Sequence, residues 1–77
     1  MNVSDSQGAL HGVRTRYSDM LDFIGRHAEG RHVKEVEGYM LNKFGLTPQA
    51  SRKYLTWAED YGQIQYTNPN RSRVKRL

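Results

Sequence analysis

The sequence predicts an α+β domain of three helices followed by a two-stranded β-hairpin, with a disordered N-terminal tail. Two observations carry this prediction. Apolar residues recur at three- and four-residue steps through three successive segments, which is the period of helices packed on one face. Near the C-terminus the spacing changes to two, because Ile64 and Tyr66 alternate with polar residues as in a strand. We assign residues 1–15 to the tail and residues 16–77 to the domain.

The start of the chain differs in composition from the rest. Residues 1–15 are small and polar and show no apolar periodicity, so we expect them to be disordered. The first helix is expected to begin near Tyr17 and to end at Glu29–Gly30, where a glycine suits a left-handed C-cap.

The next two helices are separated by a very short turn. Arg31–Val33 is expected to be a linker or a brief extended stretch before the second helix, which ends at Gly45. Thr47 is an N-cap candidate for the third helix, and Pro48 stands at its first position, where the missing N–H is harmless. The third helix is expected to end at Tyr61. Two helices joined in this way form a helix-turn-helix.

The hairpin is predicted from turn residues between two alternating segments. Asn68-Pro69-Asn70 is a strong turn signal, and the alternation resumes at Arg73–Lys75. We therefore expect two short strands with a basic tip and a basic return strand over residues 64–76.

Size and composition exclude several classes of function. A chain of 77 residues is one small domain without room for a large enclosed active site. It has no cysteine, which excludes disulfides and thiolate metal sites and suits a reducing, cytoplasmic location. No apolar run approaches the roughly 20 residues that span a bilayer, and the first residues lack a signal-peptide pattern.

No motif for catalysis or ligand chemistry is visible. The three histidines, His11, His27 and His32, do not stand at metal-ligand spacing, and no nucleophile motif or phosphate loop occurs. Glu35 and Glu37 lie on different helix faces, so a paired-carboxylate site is not indicated. We therefore expect no enzyme activity, no metal, no cofactor, no small-molecule ligand and no membrane partner.

The positive charge is concentrated at one end of the chain. The net charge is +4, and the last ten residues hold four cations and no acid. This asymmetry is consistent either with an anionic partner at that end or with a solvated basic tail.

The third helix has two different faces. At 100° per residue, its aromatic residues and Leu55 fall on one arc of roughly 160°. The opposite arc carries cations and amides in its first two turns and Glu59 and Asp60 in its last turn. This charge order opposes the helix dipole, and contact between the N-terminal half and phosphates or base edges would explain it. Core packing is the favoured role for Tyr54, Trp57 and Tyr61, although Trp57 at the edge of the arc could meet a partner chain.

These elements resemble the winged helix-turn-helix family. The similarity is carried by the capped helix from Thr47 to Leu55, by Ala58, and by Gly62-Gln63-Ile64 at the start of the hairpin. One departure is Ala58, where the family usually has a larger aliphatic residue, and the neighbouring aromatic residues are expected to fill that space.

The resemblance implies a site for double-stranded DNA. It places the helix of residues 47–61 in the major groove and the wing of residues 64–76 on the backbone or in the minor groove. The DNA-contacting residues that it implies on the helix are Gln49, Ser51, Arg52, Lys53 and Thr56. Those that it implies on the wing are Asn68, Asn70, Arg71, Ser72, Arg73 and Lys75.

The resemblance implies a small transcription regulator that binds specific DNA sequences. Palindromic target sites would require a homodimer. The alternative is a winged helix that binds protein, as an assembly module in a replication, recombination or viral complex, with Trp57 and Tyr61 at its interface.

Overall fold

The computed structural model describes the backbone of residues 3–77 and the side chains of residues 12–77. Over this part of the chain, the α+β prediction of three helices and a C-terminal hairpin is confirmed. The elements are α1 (Val3–Gly25), β1 (Arg31–His32), α2 (Val33–Phe44), α3 (Pro48–Asp60), β2 (Ile64–Tyr66) and β3 (Arg73–Arg76).

The first helix differs from the prediction at both ends. It includes residues 12–15, which were predicted to be part of the disordered tail, and it ends at Gly25 rather than Gly30. The rest of the predicted tail, residues 1–11, lies outside the side chains that the structure describes. Gly30 does have a positive φ of 91°, as expected, but it lies in the turn that leads into β1.

Helix α2 is closed at both ends by local hydrogen bonds. His32 Nδ1 accepts from the backbone N–H of Lys34 at 3.1 Å, and Glu35 Oε1 accepts from the backbone N–H of His32 at 3.0 Å. This capping box satisfies two N–H groups that the helix itself leaves without partners. At the other end Gly45 adopts a left-handed φ of 69°, so the predicted stop is confirmed.

Helix α3 begins and ends where the sequence predicts, within one residue. Thr47 Oγ1 accepts from the backbone N–H of Ala50 at 3.1 Å, and Pro48 is the first helical residue. Gly62 follows the helix with a φ of 71°. These local signals place α3 immediately after a turn of three residues, as a helix-turn-helix requires.

The strands of the described chain form one antiparallel sheet in the order β1-β3-β2. In the hairpin, Tyr66 pairs with Val74 and Ile64 pairs with Arg76. The short β1 pairs with the other edge of β3, where Arg31 lies opposite Val74. The extended stretch that the sequence left open is thus a strand that ties the start of α2 to the wing.

The core lies where the three helices meet the sheet. Helices α1 and α2 contribute apolar side chains at helical spacing, α3 contributes its back face, and each hairpin strand contributes one residue. The buried apolar residues are Met20, Leu21, Ile24, Val36, Met40, Tyr54, Leu55, Ala58, Ile64 and Val74. The back of α3 is therefore fixed in the core and its front is left exposed.

Candidate nucleic-acid interface

The front of α3 presents four of the predicted side chains to solvent. These residues are Gln49, Arg52, Lys53 and Thr56, and all of them are exposed. They belong to the first three turns of the helix, which the core holds from behind through Tyr54 and Leu55. The helix therefore presents an amide, two cations and a hydroxyl together on one rigid face.

Ser51 is placed differently from the prediction. Its side chain is 0% exposed, and its Oγ has no hydrogen-bond partner among the described residues. It is four residues before Leu55 and shares the buried side of the helix. This placement contradicts the assignment of Ser51 to a DNA-contacting surface.

Arg52 is tied to the preceding helix. Its Nε donates to Glu37 Oε2 at 3.1 Å, while the Thr56 hydroxyl donates to the Arg52 backbone carbonyl at 3.0 Å. Lys53 forms no ion pair with any side chain of residues 12–77. Of the two cations on this face, Lys53 is therefore the one whose charge is not already balanced by a neighbour within the described chain.

The tip of the wing is shaped by its own polar side chains. Asn68 Oδ1 accepts from the backbone N–H groups of Ser72 and Arg73, at 3.0 and 3.1 Å. Asn68 Nδ2 and Asn70 Oδ1 both bond to the Ser72 hydroxyl, at 2.6 and 2.8 Å. Asn68, Asn70 and Ser72 thus use most of their hydrogen-bonding capacity to hold the turn.

Arg71 connects the wing to the end of α3. Its two terminal nitrogens donate to the two carboxylate oxygens of Glu59, at 2.7 and 3.1 Å. Its guanidinium also lies 3.9 Å from the centre of the Tyr66 ring. We call Glu59, Tyr66 and Arg71 the wing cluster. The Arg71 hydrogen bonds lower the pKa of the Glu59 carboxyl and, in return, raise the pKa of Arg71.

The other three cations of the wing differ in the contacts that they make within the described chain. Arg73 Nη2 donates to the backbone carbonyl of Gly30 at 3.4 Å, and Arg76 lies 3.6 Å from Asp22. Lys75 is partly exposed, pairs in register with Gln65, and forms no ion pair within residues 12–77. Two of the four C-terminal cations, Arg71 and Arg76, thus face acids of this same chain, so less of the charge of the wing is available to a partner than the sequence suggested.

Of the aromatic residues for which core packing was favoured, Tyr61 is exposed instead, and Trp57, at the edge of the arc, is partly exposed. Tyr54 is buried and belongs to the same core cluster as Ala58. Trp57 is 40% exposed and Tyr61 is 73% exposed. Trp57 meets Tyr54 edge to face, with ring centres 5.1 Å apart, so part of the indole is packed and part is open to solvent.

The described elements have a topology compatible with a winged helix. The order of helices and strands and the C-terminal antiparallel hairpin both fit that architecture. Comparisons with known families, with curated proteins and with solved structures matched none of them to this chain.

Two further properties of the described residues bear on function. None of their helices combines the length and the apolar character needed to span a bilayer. Within the same residues, no group of three or more His, Asp and Glu side chains is placed to hold a metal ion.

Proposed function

We propose that this chain binds double-stranded DNA as a small transcription regulator, with α3 in the major groove and the wing against the backbone or minor groove. The observation that carries the proposal is the joint exposure of Gln49, Arg52, Lys53 and Thr56 on a helix whose other face is fixed in the core. An α-helix fits the major groove, so such a face can reach base edges.

Base readout would rest on Gln49, Arg52 and Thr56. A glutamine amide can pair with adenine, an arginine can bridge O6 and N7 of guanine, and a threonine methyl can contact thymine. Because the Thr56 hydroxyl is already bonded to the Arg52 carbonyl, Thr56 would offer mainly its methyl group. Arg52 would exchange Glu37 for a guanine. Arg52 is 62% exposed and accessible to a base, whereas Glu37 is only 14% exposed, so the guanine contact must offset the loss of this pair.

Phosphate contacts would come chiefly from Lys53, Lys75 and Arg73. Lys53 and Lys75 form no ion pairs within residues 12–77. Within the same residues, the Arg73 side chain donates one long hydrogen bond, to the Gly30 carbonyl. Each neutralised phosphate releases counterions, so affinity should fall with salt at a slope set by the number of contacts.

The proposal is tested by fluorescence anisotropy on a labelled duplex chosen by selection from a random pool. We expect Arg52→Ala to weaken the selected duplex more than a random one, because Arg52 would contact bases. Lys53→Ala should weaken both duplexes about equally and reduce the salt slope by about one.

Arg26→Ala is the matched control. It removes the same charge from the end of α1 near Arg76, at the base of the hairpin and away from the wing tip. If Arg26→Ala lowers affinity as much as Lys53→Ala, the protein responds only to net charge and the proposed interface is wrong. A selected pool without any bound duplex at low salt would instead favour the protein-binding assembly module.

A further inference from the structure

A shallow apolar groove lies along one flank of α3, next to the face proposed to contact DNA. It has a volume of about 420 Å³ and is lined by Val13, Arg14, Tyr17, Trp57 and Tyr61. Val13 is 38% exposed, and Trp57 and Tyr61 are more so. Exposed aromatic and aliphatic side chains that share one concave surface are typical of a contact with another molecule.

The polar groups of the groove point to the chemistry of that molecule. The Tyr17 hydroxyl oxygen is buried and has no hydrogen-bond partner among the described residues. Burial raises the pKa of this hydroxyl, so it keeps its proton and remains a donor. Arg14 lies on the rim and forms no ion pair with side chains of residues 12–77. Because the hydroxyl is buried, Arg14 is the polar group that is open to a ligand, and a carboxylate would pair with its charge.

From these observations we propose that the groove binds a short segment of a partner protein that carries a large apolar side chain next to a carboxylate. The apolar side chain packs between Trp57 and Tyr61, and the carboxylate meets Arg14 at the rim. This inference does not depend on the proposed DNA contacts, because none of the residues that line the groove is among those proposed to contact DNA.

The test is selection of a random peptide library on phage against the full chain without DNA. Peptides that combine an acidic residue with Leu, Phe or Trp should be enriched. Trp57 is the only tryptophan of the chain, so binding of a synthesised peptide should shift its emission to shorter wavelength. Tyr61→Ala should lower the affinity for that peptide at least about tenfold, as for a central interface residue.

Charge reversal tests the specificity of the groove. Arg14→Glu should lower the affinity for the acidic peptide about tenfold or more, whereas Lys34→Glu, at an exposed position of α2 outside the groove, should leave it unchanged. Leu41→Ser is the apolar control, since Leu41 is exposed on α2 and does not line the groove. Circular dichroism of each variant establishes that it is folded.

Three results would overturn the inference. The first is a selection without enrichment of acidic and apolar residues. The second is an affinity for the selected peptide that Leu41→Ser and Tyr61→Ala reduce equally. The third is concentration-dependent dimerisation by sedimentation that Tyr61→Ala abolishes, because the groove would then belong to a second copy.

Discussion

Gly30 and Gly38 differ in whether the fold requires a glycine at that position. At Gly30 the backbone has a φ of 91°, and an added Cβ would overlap the carbonyl oxygen of Val74 in the adjacent strand. At Gly38, in the middle of α2, an added Cβ would meet no atom within 4 Å. Glycine is required at the first position by the fold and is not required by packing at the second.

The two glycines should therefore respond to alanine with opposite signs. Gly38→Ala should raise the free energy of unfolding by about 0.5–1 kcal/mol, because alanine loses less backbone entropy in a helix. Gly30→Ala should lower it by more than about 2 kcal/mol, through left-handed strain and the forced separation of β1 from β3. Urea denaturation followed by circular dichroism measures both. If Gly38→Ala lowers the free energy of unfolding, the space beside Gly38 is not open to a methyl group and the prediction is wrong.

The angular position of a residue on α3 predicts much of its environment, including one case that the sequence interpretation missed. Counting 100° per residue separates the exposed Gln49, Arg52 and Lys53 from the buried Leu55. The same count places Ser51 within about 40° of Leu55, inside the apolar arc. The burial of Ser51 was therefore predictable from its angular position, although the resemblance implied a DNA contact there.

The wing cluster joins the end of α3 to the tip of the hairpin, and this contact could not be predicted from the sequence. Glu59 and Arg71 are twelve residues apart, on either side of a turn and a strand. Nothing local indicates that the end of a helix and the tip of a hairpin meet. Arg71 was predicted to contact DNA, but in the folded chain it is paired with the carboxylate of Glu59.

Removing that carboxylate should make the wing a better DNA contact. Glu59→Gln deletes a negative charge and frees Arg71, so affinity for duplex DNA should rise and the salt slope should steepen by about one. Asp60→Asn is the matched control, because it deletes the neighbouring charge, and Asp60 forms no ion pair within residues 12–77. Anisotropy titrations over a range of salt concentrations compare the two variants. Equal changes in both would mean that Arg71 contributes nothing beyond the net charge.

Elements whose limits are set by local chemistry were predicted well, and those set by distant partners were not. Thr47, Pro48 and Gly45 act through neighbours within four residues, so the ends of α2 and α3 follow from the sequence. Strand β1 exists because Arg31 pairs with Val74, far along the chain. The start of α1 was not predicted, because Leu10 and Val13 were interpreted as isolated apolar residues, although they precede Tyr17 at helical steps of three and four.

At the scale of the whole molecule, ion pairs join each element to the next around the domain. Asp19 with Lys43 joins α1 to α2, and Glu37 with Arg52 joins α2 to α3. The wing cluster joins α3 to the wing. The pair of Asp22 and Arg76 joins β3 back to α1. The cation of each pair is exposed, while the Asp19 and Glu37 carboxylates are mostly buried. Together the pairs make the assembly of the elements sensitive to protonation of the acids.

Stability should therefore decline in acid. Hydrogen bonds lower the pKa of Asp19, through Lys43, and of Glu59, through Arg71, while the backbone N–H of His32 lowers the pKa of Glu35. A group whose pKa is lower when folded binds a proton more readily when unfolded, so protonation favours unfolding. The contribution should be complete above the ordinary carboxyl pKa of about 4.5 and be lost as pH falls below it.

Urea midpoints measured between neutral pH and pH of about 3 follow this decline, since the carboxyl groups titrate across that interval. Glu59→Gln should begin with a lower midpoint at neutral pH and lose less on acidification, because the substitution has already removed one of the groups that titrate. A midpoint that stays constant through the acidic range would show that these pairs contribute nothing to the fold.

The wing cluster also has a consequence for the shape of the DNA. By holding the wing tip against the end of α3, it sets the separation between the two surfaces proposed to contact the duplex. Groove width and bendability vary with base sequence, even at base pairs that no side chain touches. A fixed separation would therefore favour duplexes whose grooves already match it, and sequences that must bend or widen to fit would bind more weakly.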